Sequence, residues 1–301
     1  MKKITAVCLS STLQRTVTFS DFRLNHVNRS EKYQIYASGK AVNSARVINQ
    51  LEKGAVNVIC PLGKENAGRF MKLARLDELQ ITGISVPGYI RECWTVLDRV
   101  NHTTTEIVVG EPVGSGDYSG AVKGLLDAVA ETLKQNDALL LAGSRPGIWP
   151  EDMCARICRK AADAGRISMA DFWGEDLKRT LEVCTPDIIK INEEEFCATF
   201  GYTFPIDSVQ LKKAVCEQSR RLNNIIVVTR GKDPTYGADG GTLFEKAAEN
   251  VAVVNTTACG DSFSAGFLHE YLKAHDVAAS LAKGNWCAAR NAELECPGAI
   301  R

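Results

Sequence analysis

Short apolar runs alternate along this chain with longer stretches whose apolar residues recur every three to four positions. Residues 4–9, 56–62, 138–142, 167–170, 188–191 and 225–229 are short and mostly apolar, the pattern of strands covered on both faces. Between them, residues 42–51, 67–79, 121–133, 150–164, 208–222, 261–272 and 277–293 carry the helical period. Strands alternating with helices predict an α/β fold, a mostly parallel sheet with helices on both faces. Ligands of such sheets lie beyond the carboxyl ends of the strands, so polar residues at those ends are where chemistry is expected.

Two segments break the rhythm. Residues 16–38 and 94–109 are rich in β-branched and aromatic side chains and lack a helical period. In the second, residues 94–100 alternate, Asn101-His102 offers a turn, and residues 104–109 return, which predicts a hairpin. Both interrupt the α/β series near its start. Either they form one small sheet standing off the main body as a lid, or they add edge strands to the main sheet.

Composition narrows the function classes. The chain has 301 residues, 45% of them hydrophobic, enough to bury a large core as one domain or two smaller ones. Its 36 basic and 36 acidic side chains cancel, so no global field recruits nucleic acid or an anionic membrane, and a small-molecule partner is expected. Lys2-Lys3 ahead of residues 4–9 reads as the approach to a first strand rather than a signal peptide. No segment approaches the roughly 20 apolar residues that cross a bilayer. Eleven cysteines, odd in number and without a C-x-x-C pair, read as reduced thiols of a cytoplasmic protein.

The candidate chemistry begins at "NTTACGDSFSAGFLHEYL", a polar loop that starts at Asn255 and turns into an amphipathic helix. The first turn of a helix leaves about four N–H groups without intrahelical partners, and the small Ala258, Cys259 and Gly260 would let an anion approach them. Asp261 stands beside that place. Cys259 reads as a small residue tolerated there, or else as a thiol that gains thiolate character from the same N–H groups. Further clusters fall where a strand ends or a helix begins. "YASGKAVNSAR" puts Gly39 and Lys40 at a helix mouth with Asn43 and Arg46 on its first turns. "IIKINEEEF" ends a strand in Lys190 and Asn192 and continues to Glu195, and "VVTRGKD" ends another in Thr229 and Gly231. Each cluster is common alone; their order along the chain is the specific signal.

That order, with "HVNRSEKYQIYASGKAVNSARVINQL", "IRECWTVLD", "TTTEIVVGEP" and "LAGSRPG", resembles the ribokinase-like PfkB carbohydrate kinases over essentially the whole length. The branch it most resembles holds 1-phosphofructokinase, tagatose-6-phosphate kinase and the minor 6-phosphofructokinase. The resemblance implies a ribokinase-like kinase domain over residues 1–301, with lid segments at about 12–38 and 90–110. It also implies ATP-dependent phosphorylation of a hydroxyl on a sugar phosphate of the fructose 1-phosphate, fructose 6-phosphate or tagatose 6-phosphate class, with Mg²⁺. Asp261 is then the base, and the amides of Ala258, Cys259 and Gly260 cradle the transferring phosphoryl. Gln14, Gly39, Lys40 and Asn43 match sugar-binding positions, and Arg29, Arg91 and Ser144 match those that hold the substrate's existing phosphate. Lys190, Thr229 and Gly231 flank the nucleotide phosphates, Asn285 edges the adenine, and Asn192 with Glu195 organises the metal. A second copy is expected to cover the apolar face of the lid as a homodimer.

The chain also departs from the pattern. Gln14 stands where the branch has a carboxylate, Ser38 and Ala41 flank Gly39-Lys40 in place of glycines, and D-T-x-G-A-G-D has become Asn255-Thr256-Thr257-Ala258-Cys259-Gly260-Asp261. Pro234 replaces a customary glycine. These changes keep two alternatives open: a kinase of an unphosphorylated sugar or nucleoside, and a weakly active binding or regulatory protein.

Overall fold

The computed structural model describes residues 1–30, 32–112 and 116–301. The chain opens with β1 (Ile4–Val7), β2 (Thr12–Phe19), β3 (Lys32–Ser38), α1 (Lys40–Leu51), β4 (Val56–Gly63), α2 (Ala67–Leu76) and β5 (Gln80–Val86). It continues through β6 (Arg91–Asp98), β7 (Thr103–Val109), α3 (Ser119–Leu133), β8 (Ala138–Ala142), α4 (Met153–Asp163), β9 (Ile167–Asp171) and α5 (Gly174–Val183). It ends with β10 (Ile188–Asn192), α6 (Glu193–Phe200), α7 (Ser208–Leu222), β11 (Ile225–Arg230), β12 (Asp233–Asp239), β13 (Thr242–Lys246), α8 (Cys259–Ala274) and α9 (Val277–Ala292).

The apolar runs form a nine-stranded sheet in the order β13-β12-β11-β10-β9-β8-β1-β4-β5, parallel from β11 to β5 and antiparallel at β12 and β13. Parallel strands need helical crossovers, which cover both faces and explain why every residue of β8 is buried. One core lies under α1, α2, α8 and α9, anchored by Phe70, Phe263, Phe267 and Leu281. The other lies under α3, α4, α5, α6 and α7, anchored by Leu125, Ile157, Phe196 and Leu211. The strand order reverses at β1, which pairs with both β4 and β8, so a crevice opens beyond the carboxyl ends of β1 and β8.

The interrupting segments form the lid, a separate four-stranded sheet in the order β3-β2-β6-β7, and not additional edge strands. β6 and β7 make the expected hairpin, with Asp98 opposite Thr103. β2 and β6 run parallel, with Thr12 opposite Arg91 and Gln14 opposite Cys93. Period-two alternation then turns Gln14, Cys93, Val108 and Glu106 toward the cleft below. It turns Arg15, Trp94 and Ile107 outward, where Trp94 and Ile107 are exposed and the Arg15 guanidinium lies 4.9 Å from the Trp94 ring centroid.

Differences from the sequence pattern have local causes. β1 stops at Val7 because the chain leaves the sheet there to reach the lid at Thr12. The strands β5, β12 and β13 and the helices α5 and α6 lack a strong pattern. β5 is a half-exposed edge containing Gly83, β12 contains Pro234 and Gly237, and α6 has only eight residues. Pro234 is tolerated because it adjoins a register shift between Val228 and Arg230, where a missing N–H matters least.

Candidate active site

A cleft of about 650 Å³ lies between the lid and the carboxyl ends of the main strands. Its lining brings together Gln14, Gly39, Lys40, Asn43, Arg91, Lys190, Asn192, Glu195, Thr229, Ala258, Gly260 and Asp261. A second cavity of about 510 Å³ adjoins it, sharing Lys40, Arg91 and Glu195, and contains Ser144.

The mouth of α8 is set by Ala258, which takes the left-handed conformation (φ 66, ψ 11) as its N-cap. The Cys259 amide donates to the Thr256 carbonyl at 3.2 Å, while the Gly260 and Asp261 amides have no acceptor among the described residues. A Cβ at Gly260 would lie 3.0 Å from Lys190 Nζ, which puts this ammonium over the helix mouth. Gly39 is needed for the same reason of space: its φ is 127°, and a Cβ would lie 2.7 Å from Cys8 Sγ.

Asp261 is buried, with Oδ2 accepting a bond from Asn43 Nδ2 at 2.9 Å. The amide is oriented by its other end, since Asn43 Oδ1 accepts from Ser38 Oγ at 2.8 Å and from Arg46 Nη1 at 3.2 Å. Burial pushes the Asp261 carboxyl up to about 6, opposed by Lys40, Asn43 and Lys190 and assisted by the charge of Asp171. Such a group is ionised at neutral pH yet basic enough to accept a proton.

Asp171 is the residue that sequence reasoning missed. It ends β9 at 1% exposure, bonded to Lys190 Nζ at 3.2 Å, Ser264 Oγ at 2.6 Å and, across 3.6 Å, Lys40 Nζ. Burial raises its carboxyl, but the two ammonium groups and the Ser264 hydroxyl outweigh this and hold it below the usual range. The Asp171 charge in turn raises Lys40 above its ordinary value. The signal was an acid one residue past the apolar run at 167–170, at the end of the strand where ligands gather.

Asn192 and Glu195 form a capping box: Asn192 Oδ1 accepts from the Glu195 amide at 2.8 Å, and Glu195 Oε2 accepts from the Asn192 amide at 2.9 Å. Both still line the cleft. Asn255 is buried, its Nδ2 donating to the Glu295 carbonyl at 2.9 Å and its Oδ1 accepting from the Thr257 amide at 3.0 Å. A carboxylate could not make the first of these bonds, so the amide suits its surroundings.

Four expected site residues, Cys259, Gly231, Asn285 and Arg29, stand apart from the lining of both cavities. Gly231 makes the turn between β11 and β12. Asn285 spends its amide on Thr235 Oγ1 at 3.0 Å and on the Lys246 and Ala247 carbonyls. Arg29 lies beyond the Thr18–Lys32 end of the lid ladder, opposite the Thr12–Ser38 end that borders the cleft. Of the two readings of Cys259, its surroundings favour the tolerated small residue: burial pushes its thiol up to about 11, and its sulfur faces Asn291 Nδ2 at 3.4 Å.

Comparison with known proteins agrees with this geometry. Three solved structures share the fold at low identity. The tetrameric inhibited form of phosphofructokinase-2 from Escherichia coli matches at 18% identity over 97% of this chain and 94% of its own, with a TM-score of 0.86. The same enzyme in complex with fructose-6-phosphate matches at 18% over 96% and 93%, with a TM-score of 0.86. A possible 1-phosphofructokinase from Thermotoga maritima matches at 19% over 98% and 93%, with a TM-score of 0.85. The family of pfkB carbohydrate kinases matches residues 3–299. With that match over nearly the whole chain, the protein belongs to the pfkB family of carbohydrate kinases and is an ATP-dependent sugar kinase.

Proposed function

We propose that the chain transfers the γ-phosphoryl group of ATP to a hydroxyl of a sugar phosphate of the ketohexose class. The observation that carries the transfer step is Asp261, a buried carboxyl raised to about 6, one residue from the open Gly260 amide and near Lys40 and Lys190. Asp261 takes the proton of the attacking hydroxyl. The amides of the α8 mouth and the Lys190 ammonium stabilise charge on the transferring group, which is most of what phosphoryl transfer requires. Asn43 holds the carboxylate in place, and Arg46 holds Asn43.

Arg91 and Ser144, on the two adjoining cavities, supply the reading that the acceptor already carries a phosphate. Arginine presents a planar fork that suits phosphate oxygens. Mg²⁺ accepts one or two carboxylates and keeps its waters. Glu195, with one oxygen outside the capping box, fits such a role with Asn192. When bound, the metal neutralises charge on the nucleotide phosphates. The free cysteines fit a reducing, cytoplasmic setting, and among the described residues no helix is long and apolar enough to cross a membrane. The outward face of the lid, with Tyr33, Trp94 and Ile107 exposed, supports a homodimer through this sheet.

A second reading, an unphosphorylated sugar or nucleoside as acceptor, is favoured by one observation: Arg91 is already paired with Glu111. ADP release measured over fructose 1-phosphate, fructose 6-phosphate, tagatose 6-phosphate and free sugars tests both. Preference for a phosphosugar supports the first reading, and equal or better use of a free sugar overturns it.

A further inference from the structure

Arg91 begins β6 at the seam of the two cavities and lines both. Its Nε donates to Thr12 Oγ1 at 2.9 Å, which fixes the guanidinium to the root of the lid. Its Nη1 pairs with Glu111 Oε2, and the other oxygen of Glu111 accepts from Ser10 Oγ at 3.5 Å. Glu111 comes into reach because Gly110, at φ 72°, bends the chain as it leaves β7 and passes against the Arg91 backbone. The carboxylate therefore occupies the place on Arg91 that an anionic ligand would take.

The other cations of these cavities are committed more deeply. Lys40 and Lys190 share Asp171, whose side chain is 1% exposed, and Arg145 is held 2.7 Å from Asp176, which is 19% exposed. Glu111 is 44% exposed while Arg91 is 19% exposed, so the acid can leave into solvent and the arginine stays. A part-exposed ion pair has little net worth, and a phosphate dianion binding through two N–H groups competes well against one carboxylate.

Resting on the phosphosugar reading above, we propose that Glu111 is a specificity-determining residue that occupies the Arg91 anion site and yields only to a dianionic group such as a sugar phosphate. An uncharged sugar leaves the pair closed. A monoanionic sugar acid exchanges one carboxylate for another and gains little. A phosphate dianion opens the pair, and Glu111 turns out to water.

The test uses the full chain, with inorganic phosphate as the probe in titration calorimetry. Glu111→Gln keeps the size and removes the charge, and is expected to bind phosphate about five- to tenfold more tightly than the parent. Arg91→Ala should bind phosphate no better than the parent and the double variant should lack the gain, which separates this site from the α8 mouth. Glu111→Ala should repeat the result of Glu111→Gln, with thermal melts showing that each variant is folded. In turnover assays the KM for phosphosugars should fall relative to that for free sugars by a similar factor in Glu111→Gln. Phosphate binding no tighter in Glu111→Gln and Glu111→Ala than in the parent overturns the proposal and leaves Glu111 a structural partner. If phosphate binding tightens but phosphosugars are no better acceptors than free sugars, the anion site stands and the phosphosugar reading fails instead.

Discussion

The floor of the cleft and the root of its lid hold their charges in opposite ways. On the floor, Asp171 and Asp261 are almost completely buried, and each is tied to groups that are themselves fixed: Lys190 and Ser264 for one, Asn43 for the other. A buried charge without partners costs several kcal/mol, so such a set tolerates little rearrangement. At the lid root, Arg91 meets a carboxylate that is nearly half exposed, in a pair that can exchange its acid at small cost. Rigid groups suit the step that needs placement to a fraction of an ångström, and exchangeable ones suit the step that chooses a substrate.

The strongest way to break this comparison is at the floor. Asp261→Asn is expected to cut turnover by about 10²–10⁴ while nucleotide binding stays nearly intact, as for the loss of a general base. Unchanged turnover would remove Asp261 from the mechanism. Arg91→Ala probes the other side: the KM for phosphosugars should rise by about 10–10², far more than for any free sugar. Equal rises for both would make the arginine structural.

The pH profile separates the regions more finely. Because burial raises Asp261 to about 6, the base is protonated and idle below that value, so kcat/KM should fall about tenfold per pH unit on the acid side. The bond from Asn43 favours the charged form, so Asn43→Ala should move this limb upward, by about one unit, and a limb that stays in place would show that Asn43 does not reach the reacting carboxylate. The smallest expected effect is at Ala258, whose φ of 66° costs an L-residue about 1–2 kcal/mol, part of which glycine would return as unfolded-chain entropy. Ala258→Gly should raise the melting temperature by about 1–3 °C. A lower melting temperature would mean that the methyl group packs usefully in this loop.

The hairpin at residues 94–109 was legible from its β-branched and aromatic residues on either side of the turn at Asn101-His102, whereas its place in a separate lid sheet was decided only by the strand pairing. The α8 mouth was legible because a run of small residues and an acid stands where a polar loop meets a helix rich in aromatic and aliphatic side chains, although that helix is buried on all sides over most of its length. Asp171 was not, since a single acid ending a five-residue strand has no period and no motif to announce it. Nor was the restraint on Cys259: the N–H groups of a helix mouth suggest a thiolate, whereas burial decides the opposite.

Alternation of apolar runs with helical periods determined the α/β class, and the order of short polar clusters pointed to the kinase family, because both are properties of neighbours along the chain. Only the tertiary structure decided which charges meet. Asp171 lies between Lys40 and Lys190, and Glu111 lies on Arg91, 20 positions apart in the chain. Arg29 and Arg91, both read as phosphate ligands, are held at opposite ends of the lid ladder by the pairing of β2 with β3 and β6. The physical reason is that Coulomb energy and desolvation depend on distance and burial in three dimensions, and the strand pairing that sets both is not written in any local stretch of sequence.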